Sequence, residues 1–287
     1  MTTLAAGLAV VQAQAATIDF NGNGATTEWS VGTSWVGGNV PGLNDLARLQ
    51  FGDNATVTTA FNAGGNFNIM ARNGALLEIG ANFRTILGFD LGTSGDGSVD
   101  VVQTAGLVVG RTLSIGNEIS TDTYTAKYSV SGGEARWTTV VEINKNGVLE
   151  VDGNGGSLDS VGSFTMASGS LSYILAADGV SRIKGNGGTK TFTIDSTLSQ
   201  LAIDASNYTL GVGQIELALF DTISGSFGAG NIAISGLAEG LSSNITYETV
   251  GGDTAMFLNI QAVPEPSSAA LLSGCFALAS IMVRRRR

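Results

Sequence analysis

The sequence has no histidine, one cysteine and three prolines among its 287 residues, and only 13% of the residues are charged. Without histidine, the chain cannot build a Ser-His-Asp or Cys-His catalytic site or an imidazole metal site. A lone cysteine excludes an intrachain disulfide and a multi-cysteine zinc or iron–sulfur site. The remaining chemistry depends on carboxylates, lysine, arginine, tyrosine and hydroxyls, which leaves glycoside chemistry and Ca²⁺ binding open.

Positive charge is also scarce, and it is concentrated at one end. The net charge is −10, yet four of the 14 basic residues are Arg284 to Arg287, so the body of the chain is more acidic still. An acidic surface repels phosphate backbones, and we therefore expect no nucleic-acid partner.

What the body has in abundance is glycine, 41 residues in all, between short runs of alternating apolar and polar residues. Residues 98–102, 127–131, 190–195 and 215–220 show the two-residue period of strands. Tight corners are predicted where glycine pairs or Asn-Gly steps permit a positive φ. These steps lie at residues 64–65, 73–74, 132–133, 146–147, 155–156 and 187–188.

A weak repeat joins these strands. Gly106 recurs as Gly133, and the aliphatic pair of residues 113–115 recurs at 141–143. The distance in sequence between the two aliphatic pairs is one residue longer than the distance between the two glycines. Residues 77–80, 149–152 and 171–174 look like related strands. A period in the twenties with two or three strands per copy predicts an all-β, right-handed β-solenoid, in which stacked coils form the core.

The chain divides into four predicted segments. Residues 1–16 resemble a secretory signal peptide, with an A-x-A pattern at 13–15 but no basic residue before it; a buried first helix is the alternative. Residues 17–190 form the solenoid, and its N-terminal cap contains Trp29 and Trp35. Residues 191–262 form a C-terminal β-cap with longer antiparallel strands, and residues 263–287 are a separate tail.

The tail has three parts in a fixed order. Val263, Pro264, Glu265 and Pro266 form a stiff joint that cannot continue a strand or enter a helix. Residues 269–283 are an apolar run, predicted to be a short transmembrane helix. Arg284, Arg285, Arg286 and Arg287 end the chain and orient it with the tail in the cytoplasm and the body outside.

This tail resembles the PEP-CTERM protein-sorting domain. The resemblance implies a bacterial, exported protein that exosortase, a membrane protease-transpeptidase, processes near Pro264-Glu265-Pro266. The W-x₅-W … P-x₃-D-x-A stretch of residues 29–47 is also similar to the opening of autotransporter-like β-helix proteins with such tails. A plain tail anchor is the alternative. Cys275 ends a lipobox-like sequence at the wrong terminus, so we interpret it as an apolar helix residue.

Carboxylates are the only serious candidates for a site in the body. Two groups could ligate Ca²⁺ on a turn: Asp90, Asp96 and Asp100, and Glu150, Asp152 and Asp159. Neither matches a known calcium loop, and alternation places Glu150 and Asp152 on the solvent side of their strand. Solvated turn acids are therefore the preferred interpretation, and we predict no metal site.

The basic residues of the body are too dispersed in sequence to suggest a catalytic centre. Arg111, Arg136, Lys145, Arg182 and Lys184 follow no recognisable pattern. We therefore expect no catalytic residues and no cofactor, and a non-enzymatic protein of the cell surface or extracellular matrix. Its expected partners are exosortase, the membrane and an extracellular polysaccharide.

Two alternatives stay open. One is a polysaccharide-active enzyme on the same scaffold, since solenoids can host such sites. The other is a carbohydrate-binding module that stacks sugar on Trp29, Trp35 or Trp137.

Overall fold

The structure, a computed structural model, describes residues 16–22, 27–42, 45–62, 68–71, 74–85, 87–92, 98–117, 124–153, 155–160, 162–177, 182–185 and 189–263. The predicted signal peptide up to residue 15, the joint from Pro264 to Pro266, the predicted transmembrane helix and Arg284 to Arg287 lie outside these ranges. No helix within them is long and apolar enough to cross a membrane.

Strands make up 59% of the described residues, which contain no α-helix, as the predicted all-β class requires. The strands are β1 (Thr17–Asp19), β2 (Leu46–Leu49), β3 (Asn54–Val57), β4 (Phe61–Asn62), β5 (Asn68–Ala71), β6 (Leu76–Ile79), β7 (Phe83–Arg84), β8 (Gly88–Leu91), β9 (Val99–Gln103), β10 (Leu107–Ile115), β11 (Ala126–Val130), β12 (Gly133–Ile143), β13 (Gly147–Asp152), β14 (Gly156–Ser160), β15 (Ser163–Met166), β16 (Ser170–Ile174), β17 (Ile183–Gly185), β18 (Thr191–Ile194), β19 (Gln200–Asp204), β20 (Gly213–Phe220), β21 (Thr222–Ser224), β22 (Ile232–Ser235), β23 (Leu241–Val250) and β24 (Asp253–Ala262). Two 3₁₀ turns, Gly32–Ser34 and Ala229–Asn231, complete the elements.

These strands wind into a β-solenoid of about six turns. Its three long faces are ladders of parallel strands. Face 1 contains β3, β6, β9, β11, β13, β16, β19 and β22. Face 2 contains β4, β7, the first half of β10, the first half of β12, β14, β17 and β20. Face 3 contains β1, β2, β5, β8, the second halves of β10 and β12, β15, β18 and β21.

Alternation decides which side chains form the core. In β13, Leu149 and Val151 are buried while Glu150 and Asp152 are partly exposed, as the sequence predicted. The same position in successive coils stacks in register, so Leu149 lies beside Leu171 and Val151 beside Tyr173. No single coil encloses a core, and burial comes from stacking.

The lengthening of the repeat by one position has a structural cause. Leu107 pairs with Glu134 and Gly110 with Trp137, but Leu113 pairs with Val141, because a β-bulge adds one residue to β12. The bulge marks the bend from face 2 to face 3. The related strands at 77–80, 149–152 and 171–174 lie on face 1, whereas 113–115 and 141–143 lie on face 3, so they are not copies of one position.

The N-terminal end is closed by an aromatic cluster. Trp29 and Trp35 are buried and meet edge to face, with ring centroids 4.7 Å apart. Phe20 packs on Trp35 and Phe83 on Trp29, at 5.1 and 5.2 Å. Trp35 Nε1 donates a hydrogen bond of 2.8 Å to the Trp29 carbonyl, which fixes the pair.

The C-terminal end is closed differently. Parallel pairing runs past the predicted boundary at residue 190, through β18, β19 and β21, as far as β22. Residues 198–204 were expected to be antiparallel, but β19 is a parallel rung because its inward Leu201 and Ile203 continue the face 1 stack. Antiparallel pairing begins where β24 joins β20 and β23.

Candidate functional site

Of the predicted sorting signal, the described residues contain Val263 alone. It follows β24 directly, its amide donates a hydrogen bond of 2.8 Å to the Gly240 carbonyl, and it is exposed. Val263 alone therefore separates the final strand from Pro264-Glu265-Pro266.

The predicted acidic groups are not brought together. Asp90 lies on face 3 and Asp100 on face 1, while Asp96 lies outside the described residues. Asp159 is on face 2, away from Glu150 and Asp152 on face 1. Glu150 is also engaged by Lys127, with Nζ 2.8 Å from its carboxylate. Within the described ranges, no three acidic or cysteine side chains are placed to hold a metal ion.

The three tryptophans are unavailable to a sugar. Trp29, Trp35 and Trp137 are at most 1% exposed, because each points into the core. The hypothesis that they stack on carbohydrate is therefore wrong, and the cap assigned to Trp29 and Trp35 explains their burial.

Face 2 carries a charged cluster whose members are far apart in the sequence. Arg136, Asp159 and Lys184 are direct neighbours on three successive coils. Such an alternation of charge is favourable across a ladder. Arg136 also donates from Nε to the Glu134 carboxylate, at 3.1 Å. The basic residues Arg136 and Lys184 are thus not dispersed in space.

A second ion pair lies beside the cluster, where Nη1 of Arg182, just before β17, is 2.6 Å from the carboxylate of Glu216 in β20. The ion pair is next to the cluster because Lys184 lies in β17, and β17 pairs with β20. Around Asp159, face 2 thus places the carboxylate of Glu134 and the cations Arg136 and Lys184, an arrangement in which Asp159 can hold a proton.

The charge balance at Asp159 is unequal. Burial raises the pKa of its carboxyl and repulsion from Glu134 adds to this effect, while Lys184 and Arg136 oppose it without cancelling it. Asp159 consequently binds a proton more tightly in the folded chain than in the unfolded one.

We expect Asp159→Asn to make the protein more stable than wild type at neutral pH, with the advantage disappearing on acidification. A raised folded pKa contributes stability below the unfolded pKa, near 3.8, and this stability is lost as pH rises through the folded value. The measurement is the urea midpoint of both proteins between acidic and neutral pH.

Asp204→Asn is the control of opposite sign. Hydrogen bonds from Ser206 lower the pKa of Asp204, so this variant should lose stability at neutral pH relative to acidic pH. Equal pH profiles for the two variants would contradict the assignment.

A groove of about 640 Å³ lies at the corner between face 3 and face 1. Its walls are Lys145, Ala167, Ser168, Asp195 and Leu198. Asp195 accepts hydrogen bonds from the amide and hydroxyl of Thr197, at 2.8 and 2.7 Å, and from the Leu198 amide. This turn presents the Leu198 side chain to solvent, 55% exposed.

A smaller pocket of about 210 Å³ adjoins the groove and shares Lys145 and Ser168 with it. Thr125, Asn146, Ser170 and Gln200 extend this polar surface toward face 1. Lys145 was considered from the sequence as a scattered basic residue and Asn146 only as part of a corner; the others carry no motif, and stacking of four successive corners brings them together.

Comparison with known proteins adds no relative. No protein-family model matches the chain, and no curated protein and no solved structure resembles it significantly.

Proposed function

We propose that this chain is an exported, non-enzymatic protein of the cell surface or extracellular matrix, sorted by a PEP-CTERM-type tail that exosortase processes. The observation that carries the proposal is the join between body and tail. The last strand ends at Ala262 and Val263 is exposed, so the Pro264-Glu265-Pro266 signature follows an accessible residue at the end of the last strand. A processing enzyme needs an extended, accessible segment next to a folded body, and the two prolines favour an extended conformation.

The body suits a structural role. Stacked coils give an extended molecule whose stability is a sum of contacts between neighbours. Both ends of the stack are covered, by the aromatic cluster and by β23 and β24. Right-handed winding and a transmembrane helix at residues 269–283 are parts of the same proposal.

Replacing Pro264 and Pro266 with alanine is expected to block processing while leaving membrane insertion intact. Alanine lets the joint enter regular structure, so the extended segment is lost. Full-length protein should accumulate in the membrane fraction of an exosortase-containing bacterium, as mass spectrometry of the C-terminus would record.

Replacing Arg284 to Arg287 with serine is the matched control. It removes the charge that orients the tail and should weaken membrane retention without altering the joint. If the double proline variant matures like wild type, the tail is a plain anchor.

A polysaccharide-active enzyme is the second candidate, favoured by the charged cluster on face 2. Glycoside hydrolysis uses two carboxylates, one of them with a raised pKa, and the pKa of Asp159 is raised beside the carboxylate of Glu134. The Asp159→Asn variant also tests this candidate. Reducing ends released by wild type and not by the variant would replace the structural role with an enzymatic one.

A further inference from the structure

The C-terminal half of face 3 carries two rows of outward hydroxyl groups. One row is Thr165, Thr193 and Ser224, which are direct neighbours on three coils. The other contains Thr191 beside Thr222, with Ser163 on the preceding coil. Between the rows, Phe164 and Phe192 point into the core and are fully buried.

This arrangement is a regular grid. Strands in a ladder are about 4.8 Å apart, and alternate residues of one strand are about 6.6 Å apart. The six hydroxyls therefore repeat at fixed intervals in two directions. We call the six residues of the two rows the hydroxyl face.

The hydroxyls are available to a ligand. No hydrogen bond joins any of the six hydroxyl groups to another of the described residues, and all six residues are exposed or partly exposed. Each hydroxyl can donate one hydrogen bond and accept two. None of the six residues is charged, although the chain as a whole has a net charge of −10.

The groove continues this surface. β15 and β18 run from the hydroxyl face directly into the corner residues Ala167, Ser168 and Asp195. The charges of Lys145 and Asp195 balance, and Leu198 adds an exposed apolar side chain. The surface thus combines hydroxyls, one balanced pair of charges and one apolar contact. These groups complement an uncharged ligand that is rich in hydroxyls and has apolar C–H surfaces.

We propose that the hydroxyl face and the adjoining groove bind a neutral polysaccharide. A polymer with repeating hydroxyls can contact several coils at once, and such linked weak contacts add to a useful affinity. The acidic body disfavours an acidic polysaccharide by repulsion. This inference rests on the proposed function and deepens it, since it names the matrix component that an exported solenoid would engage.

The test uses the purified full-length chain in mild detergent. Co-sedimentation with insoluble cellulose and starch, and affinity electrophoresis in dextran, supply neutral probes, while polygalacturonate supplies an acidic one. The variant Thr165→Val/Thr193→Val/Ser224→Ala removes one row of hydroxyls with little change of volume. Valine favours strands, so the fold should persist, and circular dichroism checks it.

The matched control is Ser157→Ala/Ser172→Ala, which removes outward hydroxyls from faces 2 and 1. We expect wild type and control to bind a neutral probe equally, and the row variant to bind it at least about tenfold more weakly. Leu198→Ala in the groove should weaken binding in the same direction.

Several results would overturn the proposal. They are binding to no neutral probe, unchanged binding by the row variant, or stronger binding to polygalacturonate. If wild type shows thermal hysteresis in freezing assays and the row variant does not, the hydroxyl face binds ice instead. All these measurements use purified protein, so a failure of tail processing in cells leaves their outcome unaffected.

Discussion

Replacing Trp137 with alanine is expected to lower the free energy of unfolding by about 3–5 kcal/mol. Trp137 is fully buried in β12, and its ring meets Phe89 edge to face with centroids 5.2 Å apart. It fills the space beside Gly110, where a Cβ would lie 2.3 Å from the indole. Alanine would leave a cavity in the middle of the stack, which neighbouring coils cannot close.

Trp137→Phe is the matched control, measured by urea denaturation with far-UV circular dichroism. Trp137 Nε1 has no hydrogen-bond partner among the described residues, so phenylalanine keeps an aromatic ring and loses no hydrogen bond. It should therefore cost clearly less than alanine. An alanine variant within about 1 kcal/mol of wild type would show that the coil packs differently from this description.

Gly133→Ala is expected to cost about 2–5 kcal/mol, which combines a left-handed backbone with overpacking. Gly133 has a φ of +75°, and a Cβ there would lie 2.0 Å from the carbonyl oxygen of Gly106 on the preceding coil. The clash is with backbone, which cannot rotate away. The urea midpoint measures the loss.

Gly240→Ala separates the two contributions. Gly240 has a φ of +78°, but no atom lies within 4 Å of the place that an added methyl group would take, so alanine there meets the conformational cost alone. The excess loss in Gly133→Ala reports the contact between coils. Equal losses would mean that the coils are not in backbone contact at this corner.

Much of the fold could be predicted because stacked coils require repeated spacings, corner residues and alternating apolar positions, which are visible in the sequence. The longer spacing of the repeat after Gly133 corresponds to the bulge in β12. The Asn146-Gly147 corner is confirmed by the φ of +63° at Asn146, since asparagine tolerates this conformation. Alternation correctly placed Leu149 and Val151 inside.

The candidate sites could not be predicted, because coil length varies. On face 1, the number of residues between paired positions varies. Ala126 pairs with Gly147, but Leu201 pairs with Ile232, which is farther away in sequence. Sequence spacing therefore does not tell which outward residues become neighbours. Asp159 and Lys184 are neighbours because β14 and β17, separated in sequence by β15 and β16, pair in register on face 2. For the same reason, the sequence does not show that parallel pairing continues past residue 190, since longer coils look like the end of a repeat.

The position of β24 gives the body a mechanical property. This strand leads directly to Val263 and is held on both sides, by β20 and by β23, through antiparallel ladders. A force applied through Val263 along the strand would load both ladders in shear, so many hydrogen bonds would have to break together. Both ladders therefore resist tension on the C-terminal end, and they would have to break before the coils of the solenoid separate from that end.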